Sequence, residues 1–155
     1  MLATGTMAPE FELYSSPYQR IRLSELRGSK VILAFYPADW SPVCGDQMNL
    51  YNELEEYFAR YNARLIGISV DSRWCHSAFS EHHHFYFPLL ADFEPKGAVA
   101  TLYDVYNKAS GECERALYVI DESGVIIWAY LSPVGINPGA DGILAALEHS
   151  DNLKQ

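Results

Sequence analysis

From Val31 to Tyr36 the chain runs Val-Ile-Leu-Ala-Phe-Tyr without a polar residue, bounded by turn-forming residues. An unbroken apolar run of this kind reads as a strand covered on both faces. Further on, Met48, Tyr51, Leu54, Phe58 and Tyr61 recur at steps of three and four. That spacing predicts one long helix from about Pro42 to Tyr61. Arg64 to Val70 reads as a second buried strand, and Asp71 or Ser72 caps a helix running toward His82. Phe87 to Leu90 is a short strand, and Pro95 to Tyr103 a short helix. Ala116–Ile120 and Val125–Tyr130 are strands joined by the tight turn Asp121-Glu122-Ser123-Gly124. Residues 140 to 149 form a last helix, with Ile143, Leu144 and Leu147 as its apolar stripe. Before all of this, Phe11–Tyr14 and Ile21–Leu23 alternate around a turn as an N-terminal β-hairpin, and Ser24–Gly28 is a single helical turn. Strands alternating with helices and closing on a hairpin predict an α/β protein with a mixed sheet flanked by helices.

The junction between the first buried strand and the long helix carries the chemistry. It reads Tyr36-Pro37-Ala38-Asp39-Trp40-Ser41-Pro42-Val43-Cys44. Ser41 is a good N-cap, and Pro42 suits the first helical position, where its missing N–H costs nothing. Cys44 then falls in the first turn, where backbone N–H groups lack intrahelical acceptors and the helix dipole is positive. A thiolate, the nucleophilic form, is favoured at such a position. The plain alternative is a small buried hydrophobe opening the apolar stripe, because Cys44 lies four residues before Met48. Pro37, Pro42 and the Ser41 hydroxyl three residues from the thiol argue for the reactive role.

Composition narrows the setting. At 155 residues the chain suits one domain with one core, and 49% apolar against 20% charged residues is an ordinary globular balance. A net charge of −9 argues against nucleic acid or an anionic membrane as partner. No apolar run approaches the roughly 20 residues of a membrane span, and the first residues lack a signal peptide's pattern. Three widely spaced cysteines, Cys44, Cys75 and Cys113, make no disulfide framework, so a reducing compartment, the cytoplasm, is expected.

Pro37-x-x-x-Ser41-x-x-Cys44, placed between an apolar strand and a helix start, resembles the active-site signature of the peroxiredoxins, the alkyl hydroperoxide reductase C and thiol-specific antioxidant family. The resemblance extends over nearly the whole chain, through Ala8-Pro9-Glu10-Phe11, Val70-Asp71-Ser72 with His76 and Phe79, Phe87 to Asp92, and Arg115 to Asp121. The short C-terminus and the Asp92-to-Tyr106 stretch are most similar to the one-cysteine, alkyl hydroperoxide reductase E-like branch. It implies a thioredoxin-like fold and a thiol-dependent peroxidase that needs no cofactor. Cys44 would attack hydrogen peroxide or an organic hydroperoxide and become a sulfenic acid. The same resemblance makes Arg115, just before a strand, the cation of the site; residues alone favour a surface arginine at a strand end. Ser41 would donate to peroxide or sulfur, Pro37 would shield the sulfur, and the first-turn N–H groups of Val43 and Cys44 would face the peroxide. A thioredoxin-, glutaredoxin- or small-thiol-type reductant would recycle the enzyme, and a homodimer or higher homo-oligomer is expected, with Trp40, Trp74 and Phe79 in the core or at a subunit contact.

Whether a second cysteine resolves the sulfenic acid is open. Cys75, at the start of the next helix, is the first candidate; the other reading is a bystander thiol. Cys113 lies in the polar stretch Ser110–Glu114, where acidic neighbours disfavour a thiolate, and ranks below it. His82-His83-His84 point in different directions on a helix and read as a solvated helix end, not a metal site. A peroxide sensor or relay using the same Cys44 is the alternative function. A thioredoxin-type disulfide reductase is disfavoured, because Ser41 stands where a Cys-x-x-Cys motif needs its first cysteine.

Overall fold

The computed structural model describes residues 1–154. Its centre is a seven-stranded sheet in the order β2-β1-β5-β4-β3-β8-β9. The strands are β1 (Glu12–Ser16), β2 (Gln19–Arg22), β3 (Lys30–Phe35), β4 (Ala63–Ser69), β5 (Leu89–Ala91), β8 (Arg115–Ile120) and β9 (Ile126–Ser132). β3, β4 and β5 run parallel, whereas β1–β2, β1–β5, β3–β8 and β8–β9 pair antiparallel. The described residues also form five α-helices: α1 (Pro42–Glu53), α2 (Glu55–Arg60), α3 (Arg73–His83), α4 (Ala98–Leu102) and α5 (Asp141–Asn152). A mixed α/β architecture with an N-terminal hairpin is thus what the hydrophobic pattern predicts.

β3 explains why an unbroken apolar run was needed. Its residues are all buried, but successive side chains enter different cores. Ile32, Ala34 and Tyr36 pack with Met48, Tyr51 and Phe58 of α1–α2, Phe79 of α3, and Ile143 and Leu147 of α5. Val31, Leu33 and Phe35 pack on the opposite face with Phe11, Tyr103 and Tyr118. Gly67 on β4 leaves the room that Tyr36 uses: a Cβ there would lie 2.7 Å from Leu89 and 3.3 Å from the Tyr36 ring.

Two expectations are corrected. The helix predicted from Pro42 to Tyr61 breaks at Leu54, whose φ of −95° and ψ of 3° separate α1 from α2. The Leu54 N–H is shared between the carbonyls of Leu50 and Tyr51, a tightened turn. Neither Pro nor Gly marks the break, and Tyr51 and Phe58 on either side face the same core, so the apolar spacing runs across it. Cys113 does not lie on a polar loop. It is 2% exposed, in a two-residue strand β7 (Glu112–Cys113) paired with β6 (Tyr106–Asn107). Smaller differences are in bounds: α4 starts at Ala98, three residues beyond Pro95, and α5 runs on to Asn152.

Candidate active site

The start of α1 is built as its residues dictate. Ser41, with extended backbone, is the N-cap; its Oγ accepts from the Cys44 N–H at 3.4 Å, and Pro42 opens the helix. Cys44 thereby sits at the third helical position, fully buried, with its side chain in the core between sheet and helices. Its N–H is taken up by Ser41, which leaves Val43 as the first-turn donor of the two expected at the site.

Arg115, the first residue of β8, comes to the same place through strand pairing. β8 lies beside β3, with Ala116 opposite Phe35, so the head of β8 meets the loop that leaves β3. The side chain is 1% exposed. Nη1 and Nη2 each donate to Cys44 Sγ at 3.3 Å, Nη1 also donates to Gln47 Oε1 at 2.7 Å, and Nε donates to the Val134 carbonyl at 2.9 Å. Among the described residues no carboxylate forms an ion pair with this guanidinium. A buried cation without a counter-anion, both of its terminal nitrogens on one sulfur, is placed to stabilise a thiolate and then the charge leaving a split O–O bond.

Gln47, a residue from which the sequence alone gives nothing firm, belongs here as well. It is fully buried, one turn beyond Cys44, and its Nε2 donates to Tyr51 Oη at 3.1 Å. Tyr51 Oη in turn donates to the Gly139 carbonyl at 2.9 Å. A glutamine on a stripe that otherwise carries Met48 and Tyr51 was the available signal, since a buried amide needs partners.

The loop from Tyr36 to Ser41 is anchored on its other side. Asp39 accepts from Tyr36 Oη at 2.6 Å and lies 2.7 Å from His76 Nδ1 of α3, while its backbone N–H donates to Asp71 Oδ2 at 2.8 Å. His76 Nε2 reaches the Leu90 carbonyl at 3.1 Å. Trp40, next along, has a φ of 70°, a conformation that costs a residue with a side chain of order 1 kcal/mol or more. Its half-exposed ring packs edge-on to Phe79 at 5.1 Å and lies over His82 and His83. Pro37 is buried within this loop.

The other two thiols stand apart from this arrangement. All three cysteines are free. Cys113 belongs to the core on the opposite face of the sheet from Cys44; burial, then Asp92, Asp71 and its glutamate neighbours, push its thiol far above the usual range. Cys75, partly buried at the start of α3, is pushed up to about 11 by burial and then by Asp39. The donor atoms of Asp39, Asp71 and Cys75 lie within 4.8 Å of one another. The two carboxylates are already engaged, Asp39 by Tyr36 and His76, and Asp71 by Ser69 and the Asp39 N–H, so the group reads as a hydrogen-bonded anchor. His82 and His83 occupy the last turn of α3 and His84 its left-handed C-cap, the helix-end placement expected for them.

A thiol-dependent oxidoreductase on a thioredoxin-like fold is the class this geometry defines, and comparison with known proteins agrees. Residues 4–129 match the AhpC/TSA family model. Alkyl hydroperoxide reductase E of Mycobacterium tuberculosis is 33% identical over 136 residues, covering 87% of this chain and 89% of that protein. Among solved structures, Enterococcus faecalis AhpC superposes with a TM-score of 0.90 at 27% identity, covering 99% of this chain and 95% of the other. Peroxidoxin BcpB of Mycobacterium tuberculosis does so with a TM-score of 0.88 at 31% identity, over 96% and 98% of the two chains. The chain belongs to the AhpC/TSA family, the peroxiredoxins, and its activity class is thiol-dependent peroxidase.

Proposed function

We propose that Cys44 is the peroxidatic nucleophile and that the chain runs a one-cysteine cycle. The Cys44 thiolate attacks one oxygen of a hydroperoxide ROOH; an S–O bond forms, the O–O bond breaks, and RO⁻ leaves to take up a proton. Arg115 holds the thiolate and neutralises the charge passing to the leaving oxygen, Ser41 fixes the helix start and donates to the peroxide or the sulfur, and Pro37 excludes water from the sulfur. The resulting Cys44 sulfenic acid reacts with an external thiol to give a mixed disulfide and water, and a second thiol releases Cys44 and a disulfide. The observation that carries this reading is the pair of 3.3 Å contacts from one guanidinium to the sulfur.

Two observations favour an external thiol over Cys75 or Cys113. Cys113 lies across the sheet from Cys44, and Cys75 stays a thiol at neutral pH with its value at about 11. A small thiol or a thioredoxin- or glutaredoxin-type protein fits the requirement. Exposed Trp40 and Trp74, with Tyr18 against Trp74, support a homodimer or higher oligomer, which sedimentation would reveal. Free thiols throughout are in keeping with a cytoplasmic setting. Intact-mass measurement after one equivalent of hydrogen peroxide, with a sulfenic-acid trap, tests the cycle. The expected product is a single adduct on Cys44, absent from Cys44→Ser; a loss of two protons mapped to Cys44–Cys75 would overturn the one-cysteine cycle, and peroxide consumption by Cys44→Ser would overturn the mechanism.

A further inference from the structure

The hydrogen bonds behind Arg115 have a direction, and it is set at a distance from the sulfur. The Gly139 carbonyl can only accept, so the Tyr51 hydroxyl must donate to it. Having spent its single proton there, the Tyr51 oxygen is left as an acceptor toward Gln47, which must turn its NH2 to it. The other end of the amide, Oε1, is then the one that meets Arg115 Nη1 at 2.7 Å. Burial pushes the Tyr51 phenol up to about 12, so it keeps its proton throughout the physiological range. Without the phenol the Gln47 NH2 loses its buried acceptor, only the guanidinium is left to hold the amide, and an amide that turned to find another partner would present N–H groups to Arg115.

We propose that Tyr51 is a positioning residue: through Gly139 it orients the Gln47 amide, and the oriented amide aims Arg115 at Cys44. The loop between β9 and α5 is the anchor, holding the guanidinium directly through Val134 and indirectly through Gly139. The inference rests on Cys44 and Arg115 acting as described above. It applies to glutamine and not to glutamate, because both oxygens of a carboxylate accept and neither orientation is wrong.

A double-mutant cycle follows from that asymmetry. Tyr51→Phe, Gln47→Glu and the double variant are compared with the starting protein by two rates: oxidation of Cys44 by hydrogen peroxide, and alkylation of Cys44 by iodoacetamide, mapped by peptide mass. In the glutamine background Tyr51→Phe is expected to slow both about tenfold, the worth of one hydrogen bond to a charged group. In the Gln47→Glu background the same change is expected to alter either rate by less than about twofold. A phenylalanine effect of equal size in both backgrounds, or none in either, would overturn the proposal, since packing alone predicts equality. Should Tyr51→Phe fail to fold, Gln47→Met against Gln47→Glu decides: the relay requires methionine to be at least about fivefold slower, and equal rates would overturn it. Alkylation reads the sulfur without peroxide, so a Cys44 that alkylates but does not oxidise would refute the peroxidase reading while the relay is still scored.

Discussion

Replacing Arg115 by glutamine isolates the largest electrostatic contribution to the site. Two guanidinium nitrogens lie 3.3 Å from the sulfur, and a full charge at that distance is worth about 5 kcal/mol at an effective dielectric constant of 20. Water entering the vacated space and the remaining first-turn N–H groups recover part of this, and hydrogen bonds to charged groups are worth about 1.5–3 kcal/mol net. The expected loss is therefore about 3 kcal/mol, or roughly 100-fold in the second-order rate of Cys44 oxidation by hydrogen peroxide. Arg115→Lys keeps the charge but cannot reach the sulfur, Gln47 and Val134 together, so it should fall between. The assay is rapid mixing with peroxide, quenching by a thiol-blocking reagent, and intact-mass counting of oxidised protein. Thermal unfolding is followed alongside, because Gln47 and Val134 lose a partner at a cost of about 1–2 kcal/mol. A folded Arg115→Gln protein oxidised within threefold of the starting rate would refute the assignment of the guanidinium to the reaction.

Other outcomes follow from the same geometry. Iodoacetamide at pH 7 should modify Cys44 and spare Cys75, with Cys75 labelling rising as pH approaches about 11; equal labelling at neutral pH would contradict a Cys75 thiol raised by burial and then by Asp39. A thiol whose folded value is raised loses stability as pH rises above its unfolded value, so Cys75→Ser should blunt the alkaline decline in Tm between about pH 9 and 11. Lys30, buried and bonded to Asp151 at 2.7 Å and to the Tyr61 carbonyl at 2.8 Å, ties β3 to α5; Lys30→Met should cost about 2 kcal/mol in urea unfolding. Burial raises the nearby Glu122 carboxyl, but hydrogen bonding to Lys154 and the charge of Lys30 bring it below its ordinary 4.5. Its contribution is complete above 4.5 and fades as pH falls through the lower folded value, so the difference between Lys30→Met and the parent should shrink there. Asp39→Ala removes one hydrogen-bond partner from each of Tyr36 and His76 and frees the strained Trp40 turn, and should slow Cys44 oxidation about tenfold, with Asp39→Asn retaining most of the rate through its amide; equal loss in the two would show that charge, not bonding, is what matters.

What could be read in the sequence was what is local. Ser41 and Pro42 announce a helix start by side-chain chemistry that acts within four residues, so the sequence alone places Cys44 in the first turn. The unbroken apolar run of β3 and the Asp121–Gly124 turn were legible for the same reason, the turn closing on Asp121 Oδ1. Arg115 was not legible in this way: it lies 71 residues from Cys44, and only the pairing of β8 with β3 joins them, so its place came from family resemblance. Cys113 was misplaced because Glu112 and Glu114 flank it, whereas a strand turns alternate residues to opposite sides and buries the one between. The break at Leu54 carries no mark in residue type.

The two cysteines at helix starts make the limit of local reasoning plain. Cys44 follows Ser41 by three residues, and Cys75 follows Ser72 by three. In each case the serine is the N-cap, its Oγ accepts from the cysteine N–H, and the thiol stands at the third helical position. A helix dipole and a serine cap therefore act on both alike. The difference is the tertiary partner. Cys44 meets the buried guanidinium of Arg115, brought by β8, while Cys75 meets the carboxylate of Asp39, brought by the loop that leads to Cys44. Asp39 thus braces the loop that leads to Cys44 against α3 and adds to the burial that raises the neighbouring thiol. In a chain with 20 acidic and 11 basic residues, the guanidinium of Arg115 is buried and still has no carboxylate ion pair among the described residues. In the proposed cycle, a cation at the head of β8 and an anion in the loop after its antiparallel neighbour β3 divide two locally equivalent thiols into a nucleophile and a bystander.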